Sequence, residues 1–292
     1  VKNILIIKHG ALGDIVLAFA AFAAIRNAHL DAEITLLTTK PFAGFLAASP
    51  WFDYLVIDTR PSPWNLPGLL TLRRTLRGFD MVYDLQTSAR SSRYFALAGR
   101  PPWSGIAAGC SFPHENPGRK AMHTRERLAE QLAAAGIADM RAPDLSWLHG
   151  DTGGFDLPEK FALLVPQAAA HRPEKRWPAQ NFAALAAALP MRSVIVGGAG
   201  EPPSGIPGID LTGRTSLLQL AAVCARASLA VGNDTGPMHL AAALNIPSVV
   251  LFSAASDPAL TAPRRPDGGW PTILRAPDLK TLPVAEVIAA LP

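Results

Sequence analysis

Short runs rich in β-branched residues alternate with longer helical patterns along this chain, and the alternation starts afresh midway. This order constrains the fold more than any other feature, because strands separated by helices pair in parallel and need helices on both faces of the sheet. In the first half Asn3 to Lys8, Glu33 to Thr38, Tyr54 to Asp58 and Met81 to Leu85 read as strands, with helices at Asp14 to Asn27, Leu69 to Leu76 and Arg125 to Ala135. The second half has strands at Phe161 to Pro166, Arg192 to Val196, Ser228 to Val231 and Ser248 to Phe252. Its helices are Ala179 to Leu189, Leu217 to Ala225, Pro237 to Leu244 and Val284 to Leu291. The expected class is α/β, as two doubly wound domains. Gly150-Asp151-Thr152-Gly153-Gly154 is rich in turn formers, so the division is placed there, giving domains 1–151 and 152–292. Two such domains are expected to bring the C-terminal ends of both sheets to a shared cleft. Pro61-Ser62-Pro63-Trp64-Asn65-Leu66-Pro67 suits neither helix nor strand and reads as a surface loop.

The composition supports two real cores and excludes disorder, since 49% of the 292 residues are hydrophobic and only 17% charged. An apolar stretch such as Ile15 to Ile25 is Ala-rich and well short of the roughly 20 residues that span a bilayer. Val1 to Ile7 reads directly as a strand with no export signal, so the expected location is cytoplasmic, with peripheral attachment to the inner membrane allowed. Cys110 and Cys224 stand far apart without His or Cys at ligand spacing, which suggests neither a disulfide nor a zinc site. Residues 1–150 hold 16 Lys and Arg against 12 Asp and Glu, whereas residues 151–292 hold 11 of each, so the basic excess belongs to the first half. Such a field favours an anionic partner, yet no nucleic-acid motif or interleaved aromatic pattern accompanies it.

Three strand-end loops hold the residues suited to chemistry. Leu229-Ala230-Val231 runs into Gly232-Asn233-Asp234-Thr235-Gly236-Pro237-Met238-His239 and then an alanine-rich helix. A turn of this kind aims unpaired amides and the positive end of a helix dipole at one spot, which suits a phosphate as well as it suits a simple helix start. The loop Lys8-His9-Gly10-Ala11-Leu12-Gly13-Asp14 follows the first strand and lacks the G-x-G-x-x-G spacing of a dinucleotide site. Asp14 at its helix mouth reads either as a cap or as an ionised carboxylate able to accept a proton. The third loop leads through Pro173-Glu174-Lys175-Arg176-Trp177-Pro178, where Lys175 offers a compact charge for a phosphate. No Asp-x-Asp pair occurs, so no divalent metal is expected, and with the dinucleotide spacing also missing no cofactor is expected.

Gly13-Asp14, Asp84-Leu85-Gln86, Lys175-Arg176-Trp177-Pro178 and Asn233 to His239, taken together, resemble the ADP-heptose:lipopolysaccharide heptosyltransferases, glycosyltransferase family nine. The resemblance covers nearly the whole chain. It implies a GT-B fold of two Rossmann-like domains, the first binding acceptor and the second an ADP-sugar donor. It also implies inverting transfer of heptose to an anionic lipid-linked saccharide, the inner core of lipopolysaccharide, which with the missing Asp-x-Asp pair makes a metal-independent transfer the expectation. By motif position Asp14 is the general base and Lys175 a phosphate ligand with a catalytic role. Gly13, Asp234, Thr235, Gly236, Pro237, Met238 and His239 are donor contacts, and Arg90 and Arg93 are weaker acceptor-binding candidates from the charge pattern. Gln167-Ala168-Ala169-Ala170 stands where the family usually has a glycine and a small hydroxyl residue. The competing readings are a family relative using another nucleotide sugar or acceptor, and a nucleotide-sugar-binding protein without turnover.

Overall fold

The computed structural model describes residues 1–169, 171–200 and 205–292, and it divides into two units, Val1–Pro143 and Asp144–Pro292. The first unit runs β1 (Asn3–Ile7), α1 (Leu12–Leu17), α2 (Phe19–Ala28), β2 (Glu33–Thr38), α3 (Lys40–Leu46), β3 (Tyr54–Ile57), α4 (Leu66–Thr75), β4 (Met81–Asp84), α5 (Ala89–Ala98), β5 (Trp103–Gly105), β6 (Phe112–Pro113) and α6 (Thr124–Ala134). Its strands form one parallel sheet in the order β3-β2-β1-β4-β5-β6. Ile4 to Ile7 of β1 are fully buried, as a central parallel strand covered on both faces requires. The register pairs Ile7 with both Leu37 and Asp84, so β1, β2 and β4 finish level with one another. The order reverses between β1 and β4, the place where open α/β sheets open a crevice for ligands.

The second unit runs β7 (Phe161–Val165), α7 (Ala179–Ala188), β8 (Arg192–Ile195), β9 (Ile209–Asp210), α8 (Leu217–Arg226), β10 (Leu229–Asn233), α9 (Gly236–Ala243), β11 (Ser248–Phe252), α10 (Pro258–Thr261), β12 (Thr272–Arg275) and α11 (Val284–Ala289). Its sheet order is β12-β11-β10-β7-β8-β9, again all parallel, and it repeats the strand order of the first unit. Both units are therefore doubly wound α/β sheets, as expected for GT-B. The turn-forming segment at 150–154 lies in the second unit, where Gln219 Nε2 donates to Asp151 O (3.1 Å) and Arg226 Nη1 to Thr152 Oγ1 (3.1 Å).

Local differences from the sequence reading have local causes. The single helix expected over Asp14 to Asn27 is two helices, because the Ala18 amide reaches only three residues back, to Ile15 O (3.0 Å), a tightened turn that breaks the α ladder. The stretch Pro61 to Pro67 is loop only as far as Asn65, whose side chain accepts from the Gly68 amide (3.0 Å) and starts α4 with Pro67 in its first turn. α5 follows Ser88, which accepts from the Ser91 amide while Ser91 Oγ accepts from that of Ser88, a cap that the strand-end motif obscured. Cys110 and Cys224 are both buried thiols. Among the described residues no helix is long and apolar enough to cross a membrane.

Gly232 marks where β10 and α9 press closest on β7. A Cβ there would stand 2.5 Å from Val165 Cβ and 2.8 Å from Met238 Sδ. Gly232→Ala is therefore expected to destabilise the second unit by about 1–3 kcal/mol through overpacking. Urea unfolding followed by tryptophan fluorescence checks this, and an unchanged midpoint would contradict it.

Candidate active site

In the first unit the loop after β1 is held from several sides. The His9 amide donates to Gln86 Oε1 (2.9 Å) and Thr39 Oγ1 donates to His9 O (2.7 Å). His9 Nε2 lies 3.0 Å from Asp58 Oδ2, which also accepts from Tyr94 OH (2.7 Å), and Asp58 Oδ1 accepts from the Arg60 amide (2.7 Å). Burial pushes the Asp58 carboxyl up, but His9, Tyr94 and the Arg60 amide outweigh it and hold the group below the usual carboxylate range. The loop thus reaches α1 in a fixed path.

Asp14, half-buried in the first turn of α1, accepts from the Ala11 amide (3.1 Å) and so does cap its helix. It also lines a cavity of about 200 Å³ with Lys8, Leu85, Gln86, Thr87, Arg119, Thr124, Arg127 and Leu128. Burial lowers the Lys8 ammonium pKa, against the opposing charges of Asp14 and Asp84, and its Nζ donates to Leu85 O (3.2 Å). Asp84 is fully buried at the end of β4, and burial raises it to about 6 although the Thr87 amide, Ser91 and the Gln86 amide all favour its charged form. Arg119 Nη2 donates to Thr87 Oγ1 (2.7 Å) and its Nε to His114 Nδ1 (3.0 Å), which fixes the guanidinium at the cavity. The result is a carboxylate among cations, suited to an anionic molecule with a hydroxyl to be deprotonated.

In the second unit Asn233 ends β10 with a fully buried amide. Its Oδ1 accepts from the Trp177 amide (3.0 Å) and its Nδ2 donates to Pro166 O (2.7 Å), tying the end of β10 to both ends of the loop between β7 and α7. Trp177 Nε1 donates to Leu282 O (2.9 Å) and the ring stacks edge-on against Phe182 at 4.8 Å. These contacts deliver Lys175, whose Nζ lies 2.7 Å from Asp234 Oδ2, an oxygen that also accepts from Ser256 Oγ (2.9 Å). His239 Nε2 stands 3.8 Å from Asp234 Oδ1. Burial pushes Asp234 up, yet His239 and Lys175 together keep it below the usual range, so it stays ionised.

Beside this cluster lies a cavity of about 530 Å³, lined by Val165, Gln167, Ala168, Ala169, Arg176, Gly197, Gly198, Ala199, Gly200, Thr235 and Pro237. Thr235 Oγ1 and His239 Nδ1 are buried without a hydrogen-bond partner among the described residues. Apolar walls, a guanidinium and the Gly236 amide at the start of α9 suit a nucleotide with its phosphates at the helix.

The structure brings Lys175, Asp234 and His239 together and sets Thr235 and Pro237 in the cavity wall, with Gly236 opening α9. Met238 is fully buried beneath the turn, against Gly232. Gly13 lies in α1 one residue before Asp14. Arg90 and Arg93 lie exposed on α5, where Arg90 Nη1 donates to Pro61 O (3.4 Å); the cavity at Asp14 is lined instead by Arg119 and Arg127. Sequence reasoning missed those two arginines, which α6 and the turn before it carry in from a distance. It also missed Gly197 to Gly200, although a glycine cluster directly after a strand is a visible signal. Ala170, part of the hydroxyl-free segment, lies outside the described residues. Among the described residues no group of three or more His, Cys, Asp or Glu is placed to hold a metal ion.

Comparison with known proteins bears on this geometry. The lipopolysaccharide core heptosyltransferase OpsX of Haemophilus influenzae is 23% identical over 294 residues, covering 90% of this chain and 82% of OpsX. A glycosyl transferase family 9 structure from Veillonella parvula superposes with a TM-score of 0.81 at 22% identity, over 99% of this chain and 95% of that one. The Escherichia coli heptosyltransferase WaaC with ADP-2-deoxy-2-fluoro heptose gives 0.73 at 20% identity, over 99% and 98%. These likenesses show the fold, and the sequence profile of glycosyltransferase family 9 (heptosyltransferase) matches residues 69–269, more than half of the chain. The chain belongs to glycosyltransferase family 9, the heptosyltransferases.

Proposed function

We propose that this enzyme transfers heptose from ADP-heptose to the inner core of lipopolysaccharide, with inversion at the anomeric carbon and without a metal. The observation that carries the reading is the cavity of about 530 Å³ beside the Lys175–Asp234–His239 cluster. Its support from relatives is the naming of OpsX as a lipopolysaccharide core heptosyltransferase and the ADP-sugar analogue in WaaC. In this scheme the acceptor hydroxyl oxygen bonds to the anomeric carbon on the face opposite the phosphate. The anomeric C–O bond breaks with its electron pair leaving on ADP, and Asp14 takes the hydroxyl proton.

Charge developing on the departing diphosphate is met by Lys175 and by the Gly236 amide opening α9, donors fixed before the reaction begins. Asp234 orients Lys175 and offers its other oxygen to a sugar hydroxyl or to His239. Thr235 Oγ1, buried and unsatisfied among the described residues, is available to the donor. Gly13, Gly236 and Pro237 shape the turns, and Met238 supports them from below. The first unit takes the acceptor, with Arg119 and Arg127 beside Asp14 and with Arg90 and Arg93 on α5. An acceptor of this kind places the enzyme at the cytoplasmic face of the inner membrane.

Replacing Lys175 with alanine removes a charge-assisted contact and is expected to weaken ADP-sugar binding by roughly 10–100-fold. Calorimetric affinity equal to that of the parent would reject Lys175 as a phosphate ligand. Asp14→Asn keeps an oxygen for the Ala11 amide but cannot accept the acceptor's proton. Turnover should fall by roughly 10²–10⁴-fold while folding and donor affinity hold, and near-normal transfer would leave Asp14 as a cap alone. Saturating chelator should leave the rate intact, whereas a large loss restored by Mg²⁺ or Mn²⁺ would point to metal-assisted departure of the diphosphate.

A further inference from the structure

α4 uses only one of its faces for the core. At 100° per residue Leu69, Leu72 and Leu76 fall on a common stripe, and Leu72 and Leu76 are buried. Leu66, Leu70 and Arg73 share a different, outward stripe, with Arg74 beside it and Arg77 just past the helix end, and all of them are exposed. Leu70 is 54% exposed, Leu66 68%, and Trp64 just before the helix 91%. The outward stripe is apolar at its N-terminal end and basic at its C-terminal end, over about 12 Å. Among the described residues no carboxylate pairs with Arg73, Arg74 or Arg77.

The surrounding charge is one-sided. From Thr59 to Pro113 the sequence has seven arginines and two carboxylates, Asp80 and Asp84. Asp84 is fully buried, and Asp80 Oδ2 accepts the Asn3 amide (2.8 Å). A large bare indole with two leucines, bordered by uncompensated guanidinium groups, matches a surface that is anionic outside and apolar just beneath. A second copy of this chain would set like charges against each other, and a nucleic acid would leave the leucines uncovered.

We propose that residues 64–77 dock the enzyme on an anionic lipid bilayer. Trp64, Leu66 and Leu70 enter the boundary between headgroups and acyl chains, while Arg73, Arg74 and Arg77 remain at the lipid phosphates. The helix enters by its N-terminal end, since that end carries the apolar groups. The inference goes beyond the transfer reaction and does not depend on which sugar is transferred.

The test is co-sedimentation of the full chain with vesicles of phosphatidylcholine alone or mixed with phosphatidylglycerol. The parent is expected to bind the mixed vesicles and not the neutral ones. Arg73→Gln/Arg74→Gln/Arg77→Gln should weaken that binding by roughly 100-fold, near fivefold for each charge, and Trp64→Ser/Leu70→Ser by roughly tenfold or more. All the altered side chains are exposed, and circular dichroism confirms that each variant is folded. Both variants should transfer sugar to a water-soluble, deacylated acceptor at the parent's rate, a readout of the proposed reaction that is independent of docking. Equal binding to neutral and anionic vesicles, or parent-like binding by either variant, would overturn the proposal. So would loss of transfer to the soluble acceptor, which would assign the segment to acceptor recognition. Self-association of the parent that both variants abolish would assign it to a second copy and likewise overturn it.

Discussion

Parallel pairing sends every strand of a sheet out at the same edge, and this constraint decides where the polar groups of the two candidate sites end up. In the first unit the C-terminal ends of β1, β3 and β4 deliver His9, Asp58 and Asp84 to one edge, and in the second those of β7 and β10 deliver Pro166 and Asn233. Loops emerging side by side still need to be joined, because backbone groups beyond the sheet have lost their ladder partners. Asn233 does this with a single amide, accepting at one atom and donating at the other. His9 does the equivalent in the first unit through its main chain, bound by Gln86 on one side and Thr39 on the other.

The same edges show how differently a protein can treat buried carboxylates. Asp58 and Asp234 each meet a cationic or hydroxyl partner at an oxygen, and their acidity exceeds that of a free side chain despite burial. Asp84 receives mainly main-chain amides and sits deeper, and desolvation wins. Raised above its unfolded value, Asp84 contributes stability fully present below the ordinary carboxylate range. That contribution is lost as pH rises through about 6, where the buried group must ionise. The Thr87 amide, Ser91, the Gln86 amide and His9 are the neighbours that limit the penalty.

Much of this architecture was legible because strand-forming runs and helical periods are local signals. Strand β2 matches its expected span, and the Gly-Asn-Asp-Thr-Gly-Pro turn lies where a strand meets a helix. What the sequence hid was set by distance. Lys175 and Asp234 are 59 residues apart and Trp177 and Leu282 are 105 apart, so no window along the chain contains either pair. Arg119 and Arg127 belonged to an evident basic excess, but only α6 and the preceding turn single them out from the other arginines. The Ala18 break was hidden for another reason, since alanine favours helix on both sides of the tightened turn.

The bond from Trp177 to Leu282 also has a temporal side. The turn that carries Lys175 is anchored to a residue just before α11, so its tether arrives only after β8 through β12 have been made. During synthesis the first unit can close around its own sheet while this turn still lacks its anchor, because domains assemble in the order they leave the ribosome. The cluster around Asp234 is thus among the last parts of the molecule to become complete. Its arrival signals that the whole second sheet is in place.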